Sequence, residues 1–292
     1  MQPATTAQAT APQPALASSV SGEQPPRREG PLRELFRFRE LIQMLVVREL
    51  KVRYKRSLLG LLWTMLNPLV LMVVYTVVFT TILPTTLRNF SIFLLAGLLP
   101  WIFFSNAVMQ GLTSVLTNQE LIRKVRVPQA VFPLSVVASN LVNFALSLLP
   151  LFLLMALVGQ PFSLALLFLP VGALLLALFT SGVTLLLSSF TVFFRDVRHL
   201  TEVGLQVLFY LSPVLYTLDQ LQSHDEWWFH AFRTGLRLNP LSYLVPLVRD
   251  PVYYARLPSA AALLGASAIA LGTLVLGFRV FVKLEPRHIH HF

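Results

Sequence analysis

Apolar residues in this chain are gathered into blocks of roughly 20 or more, and this feature limits the possible folds most. A helix of about that length crosses the ~30 Å hydrocarbon core of a bilayer. Of the 292 residues, 55% are apolar and only 12% are charged, whereas soluble domains average about 25% charged residues. The blocks therefore predict an all-α membrane protein.

Six blocks predict six transmembrane helices within a transmembrane domain at residues 58–283. Internal prolines, such as Pro68 and Pro150, are tolerated in membrane helices because neighbouring groups satisfy the freed carbonyls. Residues 219–257, before the last block, are too broken by prolines to cross and predict short interfacial or re-entrant helices on the extracytoplasmic side. The spans are predicted at residues 59–83, 91–116, 131–158, 164–188, 200–218 and 260–282.

Two segments precede the first span. Residues 1–30 are rich in Ala, Pro, Gln, Ser and Thr and lack the apolar core of a signal peptide, so they predict a disordered tail. Residues 31–57 predict an amphipathic helix at the cytoplasmic membrane surface, because charged and apolar residues separate at about 100° per residue. A charged flank that only orients the first span is the alternative. The charged arc holds Arg33, Arg37, Glu40, Arg48, Lys51 and Lys55, and the apolar arc holds Leu35, Ile42, Val46 and Leu50.

Lysine and arginine are distributed unevenly among the predicted loops. Of the 23 Lys and Arg residues, 18 lie on one side: before the first span, after the second and fourth spans, and at the end of the chain. The other 5 lie on the opposite side. Cytoplasmic loops carry the excess of these residues. Both termini are therefore predicted to be cytoplasmic, and topology rather than nucleic-acid binding explains the net charge of +10.

Motifs of soluble ATPases and hydrolases are absent from the sequence. There is no Walker A, HExxH, CxxC or GxSxG pattern and no cysteine, so the sequence predicts no P-loop, zinc-protease or thiol chemistry. Ionisable residues are scarce in the spans, and Glu202 is interpreted as an interfacial residue near Arg195 and Arg198. Because ion-coupled transporters and membrane enzymes need such residues, a permease driven by another subunit is predicted.

The C-terminal residues 284–292 are predicted to form a solvated cytoplasmic tail. His288, His290 and His291 are irregularly spaced there, and structural zinc sites use regular ligand spacings. No metal site is predicted.

The predicted spans contain several amide side chains and several aromatic side chains. The amides Asn67, Asn106, Gln110, Asn140, Asn143 and Gln206 are predicted to hydrogen-bond between helices. The aromatic residues form a set on the first span and a set on the fifth. They could stack against sugar rings, with helix packing or lipid contact as the alternative. The members are Tyr75 and Phe79, and Phe209, Tyr210 and Tyr216.

The loop between the second and third spans predicts a short cytoplasmic helix at residues 118–128. Asn118 suits the N-cap, Glu120 suits the first turn, and basic residues follow toward the end, before Pro128. A short helix tethered to two spans can transmit a push from a soluble partner. An ordinary positively charged loop is the alternative.

Four segments of the sequence resemble the permease subunits of polysaccharide ABC exporters, which belong to the type-2 ABC export permeases. The resemblance covers nearly the whole chain after residue 31, and it rests on the combination rather than on any one segment. The segments are ELKVRYKRSLLGLLWTMLNPLVLMVVYTVVF (49–79), NQELIRKVRVPQAVFPL (118–134), FFRDVRHL (193–200) and LNPLSYL (238–244).

The resemblance implies a homodimer in the bacterial inner membrane, with a channel at its two-fold axis and two ABC ATPase subunits that hold ATP and Mg²⁺. The cargo would be an undecaprenyl-linked glycan such as an O-antigen. Aromatic residues would line the channel: Tyr75, Phe79, Phe209, Tyr210 and Tyr216. The short helix would couple to the ATPase through Asn118, Glu120, Leu121, Ile122, Arg123, Lys124 and Arg126.

The amphipathic helix could also collect the anionic pyrophosphate headgroup of the cargo. The basic residues for that role are Arg48, Lys51, Arg53, Lys55 and Arg56. A drug- or lipid-exporting permease of the same superfamily is one alternative function. A membrane glycosyl- or acyl-transferase is another, although the sequence offers few catalytic carboxylates or histidines.

Overall fold

The computed structural model describes residues 37–55, 60, 62–78, 81, 87–125, 127–216 and 227–288. Within these ranges the chain is helical and has no β-strand, as the composition predicts. A short 3-10 helix, Leu164–Phe168, precedes α7. The α-helices are α1 (Arg39–Tyr54), α2 (Leu62–Val77), α3 (Phe90–Gly111), α4 (Ser114–Thr117), α5 (Gln119–Lys124), α6 (Val131–Val158), α7 (Leu169–Phe193), α8 (Val197–Tyr210), α9 (Trp227–Leu238), α10 (Leu241–Leu244), α11 (Pro246–Tyr253) and α12 (Ala260–His288).

Four helical segments of the described chain are long and apolar enough to cross a membrane: α3, α6, α7 with its 3-10 turn, and α12. The first predicted span, 59–83, contains the 16-residue helix α2. The fifth, 200–218, is wrong at its end, because α8 ends at Tyr210 and a turn follows. Pro213 explains the early end, since the residue before a proline is disfavoured in α-helical geometry.

Helices α7 and α12 pack with their backbones in close contact, and glycines make the approach possible. A Cβ atom added to Gly277 would lie 2.1 Å from the carbonyl oxygen of Gly182. A Cβ atom added to Gly182 would lie 2.4 Å from the carbonyl oxygen of Thr273. Small residues let membrane helices come into backbone contact and gain van der Waals packing.

Helix α3 lies at the centre of the bundle and contacts α2, α6, α7, α8 and α11. Beside its N-terminal half, the buried guanidinium of Arg249 lies 4.1 Å from the ring centre of Phe93 and donates to the Val214 carbonyl over 2.9 Å. Gly97 leaves room for this guanidinium. Burial lowers the pKa of Arg249 to about 10, so it remains charged at neutral pH.

The segment 219–257 holds three short helices in its described part, α9, α10 and α11, none long enough to cross a membrane. Some of its apolar residues are exposed, namely Leu238, Tyr243, Tyr254 and Leu257. Others are fully buried in the bundle: Leu236, Leu241, Leu244, Val245, Leu247, Val248 and Val252.

Helix α1 buries Leu45 against Val131 and Phe132 at the start of α6. The predicted apolar arc is therefore half-buried on the protein itself. The outward side carries a second apolar set, which the helical-wheel analysis did not separate from the basic residues. This exposed stripe holds Met44, Val47, Arg48, Lys51, Val52 and Lys55.

The last helix continues to His288, within the predicted tail 284–292, and its end is buried rather than solvated. His288 is 0% exposed and lies between the rings of Phe193 and Phe281. Its Nδ1 is 2.8 Å from Oε1 of Gln129, whose backbone N–H donates to Glu285 over 2.7 Å. The described residues contain no group of three His, Asp or Glu side chains that could hold a metal. His290 and His291 lie outside the described residues.

Candidate functional site

Helices α2, α3 and α8 form a cavity of about 430 Å³ that is open on one side. Three of the five predicted aromatic residues meet there: Tyr75 from α2, and Phe209 and Tyr210 from α8. We call it the aromatic cavity. Its lining comprises Leu71, Tyr75, Leu98, Trp101, Ile102, Ser105, Asn106, Met109, Glu202, Leu205, Gln206, Phe209 and Tyr210.

Trp101 is a cavity residue that the sequence analysis missed. Its ring centre lies 5.3 Å from that of Phe209, which in turn lies 5.4 Å from that of Tyr210. The three rings form a continuous aromatic wall from α3 to α8. Trp101 stands in a uniformly apolar stretch of the second predicted span, so only its residue type could have indicated a role.

The other two predicted aromatic residues are not in the described lining. Tyr216 lies in the turn after α8, where its hydroxyl donates to the carbonyl of Tyr210 over 2.7 Å. Its ring centre lies 6.3 Å from that of Phe232. Tyr216 therefore holds the end of α8 rather than facing the cavity. Phe79 lies outside the described residues.

One face of α8 supplies both the acid and the aromatic part of the cavity. Glu202, Leu205, Gln206 and Phe209 follow the spacing of neighbours on one helix face. Glu202, interpreted from the sequence as an interfacial residue, thus lies on the same wall as Phe209. The cavity combines flat rings with hydroxyl, amide and carboxylate groups.

The predicted headgroup residues on α1 divide into two kinds. Arg48 donates to Oδ1 of Asn118 over 3.2 Å and is paired with Glu49 at 3.3 Å. Arg53 donates to Oδ1 of Asn140 over 3.3 Å and also to Oε1 of Gln110. These two arginines connect α1 to the bundle.

Lys51 and Lys55 are exposed, and neither has a hydrogen bond or ion pair within the described part of the chain. They lie beside the exposed side chains of Met44, Val47 and Val52. The two lysines are therefore available to a ligand or a lipid surface. Arg56 lies outside the described residues.

The predicted coupling helix is shorter than residues 118–128. Helix α5 ends at Lys124, and Val125 is extended. Asn118 occupies the N-cap position without capping, because its side-chain amide donates back to the Ser114 carbonyl over 2.8 Å while its Oδ1 accepts from Arg48. Arg126 lies outside the described residues.

Helix α5 has an inner and an outer side. Leu121 and Ile122 pack inward against the cluster of Leu45, Val131 and Phe132. Ile122 also contacts a second cluster, which includes Leu185 of α7 and Phe281 of α12. The outer side presents Glu120, Arg123, Lys124 and Val125.

Comparison with known proteins identifies a family that this chain matches and several similar relatives. Residues 40–253, from α1 to the end of α11, match the family described as ABC-2 type transporter. The O-antigen export system permease protein RfbA of Myxococcus xanthus is 39% identical over 251 residues, which cover 86% of this chain and 94% of the relative. The protein of the same name from Klebsiella pneumoniae is 30% identical over 250 residues, covering 85% and 93%. The polysialic acid transport protein KpsM of Escherichia coli is 23% identical over 251 residues, covering 84% and 93%.

Proposed function

Because the chain belongs to the ABC-2 type transporter family, a family of multi-pass membrane permeases, we propose that it exports a lipid-linked polysaccharide of the O-antigen type. The aromatic cavity is the observation that carries this proposal. Rings such as Tyr75, Trp101 and Phe209 stack on the apolar faces of sugars, and neighbouring amides bond their hydroxyls. The names of the RfbA and KpsM relatives support the same cargo class.

The chain acts as a permease and not as an enzyme in this proposal. A separate ABC ATPase binds ATP and Mg²⁺ and contacts the outer side of α5, where Arg123 and Lys124 are exposed. Two copies of each subunit assemble. The open side of the aromatic cavity supports a homodimer, because Tyr210 is 65% exposed in the isolated chain and a second copy would close the cavity.

The charge distribution supports an orientation in the bacterial inner membrane with both termini in the cytoplasm. Helix α1 then lies at the cytoplasmic headgroup level. Its exposed Met44, Val47 and Val52 enter the acyl boundary, and Lys51 and Lys55 face the phosphates. Such a helix binds by apolar burial together with attraction to anionic groups. The pyrophosphate of an undecaprenyl-linked glycan is an anion of this kind.

Replacing Tyr75 and Tyr210 together with leucine is expected to reduce glycan export about tenfold, because a stacked aromatic contact contributes about 0.5–1.5 kcal/mol. Export is measured as surface glycan in cells that carry no other copy of the permease. Co-purification of the ATPase is expected to be unchanged. The matched control replaces both residues with phenylalanine, which keeps the rings, and we expect it to export normally. Normal export by the leucine variant would contradict the sugar-stacking role and favour a drug or lipid cargo.

Replacing Lys51 and Lys55 with glutamine is expected to reduce export several-fold, since each basic residue near an anionic surface contributes about 1 kcal/mol. The control is Lys283→Gln with Arg287→Gln, the same loss of charge at exposed positions near the end of α12. Surface glycan and ATPase co-purification are measured for both variants. If the α1 variant exports as well as the control, α1 does not collect the headgroup.

A further inference from the structure

A second cavity, of about 360 Å³, lies between the end of α1 and helices α2, α3 and α6. We call it the amide cavity. Three helices each contribute a stripe of residues three to seven positions apart, which share a helix face. The stripes are Trp63 and Asn67 on α2, Phe103, Asn106 and Gln110 on α3, and Asn140, Asn143, Phe144 and Ser147 on α6.

The charge in this cavity comes from Arg53. No acidic side chain is present among the described residues of the lining, and the guanidinium is bonded only to the neutral amides of Gln110 and Asn140. Uncompensated positive charge in a partly buried site favours an anionic ligand.

Two of the amides face the cavity without a protein partner in the described part of the chain. Asn67 and Asn106 are both exposed to the open space and make no described hydrogen bond. By contrast, Asn140 is bonded to the Val136 carbonyl over 2.9 Å and to Gln110 over 3.2 Å. An amide at the level of the membrane is costly unless it is hydrogen-bonded. A ligand with several hydroxyl groups would supply those bonds.

The two cavities share a wall. Ile102 and Asn106 of α3 line both the amide cavity and the aromatic cavity. Along α3, Phe103 and Gln110 are separated by about 10 Å, at 1.5 Å per residue. A ligand in the amide cavity would therefore lie beside the aromatic cavity, with Asn106 in the lining of both.

We propose that the amide cavity binds a sugar phosphate, namely the first sugar of the lipid-linked glycan with the phosphate next to it. Arg53 binds the phosphate, Asn67 and Asn106 bond the sugar hydroxyls, and Trp63 offers a face for the ring. The volume falls in the usual range for small-molecule sites, about 300–1,000 Å³. This inference rests on the proposed export function and adds a binding site distinct from the aromatic wall.

The test measures equilibrium binding of radiolabelled undecaprenyl diphosphate N-acetylglucosamine to the full-length chain in lipid nanodiscs. Asn67→Leu with Asn106→Leu is expected to weaken binding about tenfold, as for the loss of one or two hydrogen bonds. Gln43→Leu, an exposed amide on α1 outside the cavity, is the control and is expected to bind normally. The same probe without its sugar is expected to bind the double variant as it binds the unaltered protein.

Arg53→Gln separates the phosphate from the sugar. It is expected to weaken binding of both probes about equally, and Asn67→Asp is expected to weaken both through repulsion of the phosphate. Phosphatidylglycerol, which also carries a phosphate and hydroxyls, is titrated as a competitor. Displacement of the sugar-bearing probe by equimolar phosphatidylglycerol would overturn the assignment in favour of an ordinary phospholipid site.

The proposal and the export function fail in different ways. If the unaltered protein binds the sugar-bearing probe and the double leucine variant binds it equally well, the amide cavity is not the site, although export of a lipid-linked glycan still stands. If the unaltered protein does not bind the probe, the proposed cargo itself is wrong. Elution of each variant as the same species as the unaltered protein shows that a loss of binding is not a loss of folding.

Discussion

Replacing Gly277 with alanine is expected to remove most of the folded protein from the membrane, whereas Gly272→Ala on the same helix is expected to be tolerated. Both changes raise helix propensity by about 1 kcal/mol. They differ in surroundings, because an added Cβ meets the Gly182 carbonyl oxygen at 2.1 Å at position 277 and nothing within 4 Å at position 272. The obstacle at position 277 is backbone, which cannot rotate away as a side chain can.

Overpacking of a core usually costs about 1–3 kcal/mol, and more when the neighbours cannot yield. Here relief requires α7 and α12 to move apart, which would break the contacts between these two helices. Membrane abundance and the thermal midpoint of the purified protein are measured for both variants. Equal abundance and equal midpoints would show that α7 and α12 do not pack through Gly182 and Gly277.

The sequence predicts the long helices well because the signal for each one is local: a contiguous run of apolar residues bounded by polar residues. The family could also be predicted from the sequence, since each of the four characteristic segments is an unbroken stretch of residues. The ABC-2 match at 40–253 confirms this prediction. The end of α8 was predicted too late because the apolar run continues through Ser212 and Pro213. There the backbone restriction of proline outweighs hydrophobicity.

Only part of the candidate site could be predicted from the sequence, because a cavity is lined by residues that are distant along the chain. Tyr75, Phe209 and Tyr210 were predicted as separate helix faces, and Trp101 joined them only through the packing of α3 against α8. The contact of His288 could not be predicted for the same reason. Nothing near it in the sequence indicates that Gln129, 159 residues away, forms its partner.

Helix α5 connects the outer surface of the protein with four helices of the bundle. Ile122 contacts both the cluster that joins α1 to α6 and the cluster that joins α7 to α12. Arg48 adds a polar connection from α1 to Asn118 beside it. In the proposed exporter, movement of the ATPase would be passed on by the inner side of α5, while the outer side holds the ATPase in place.

Changes on the two sides of α5 are therefore expected to have different effects. Ile122→Ala is expected to leave the ATPase bound and hydrolysing ATP while export falls about tenfold or more, within the range of ~1–3 kcal/mol that couples distant sites. Arg123→Glu with Lys124→Glu is expected to release the ATPase, because both side chains are exposed on the outer side. Co-purification, ATP hydrolysis and surface glycan are measured for both.

The comparison distinguishes transmission of movement from attachment of the ATPase, because Ile122 packs against the bundle while the adjacent Arg123 is exposed. Ile122→Ala removes apolar contact but no charge, so a lost ATPase in that variant would mean that Ile122 holds the partner directly. Normal export by Ile122→Ala would mean that force passes through another route, such as the bond from Arg48 to Asn118. Arg48→Gln then becomes the decisive variant, since it removes that bond and leaves the outer side of α5 intact.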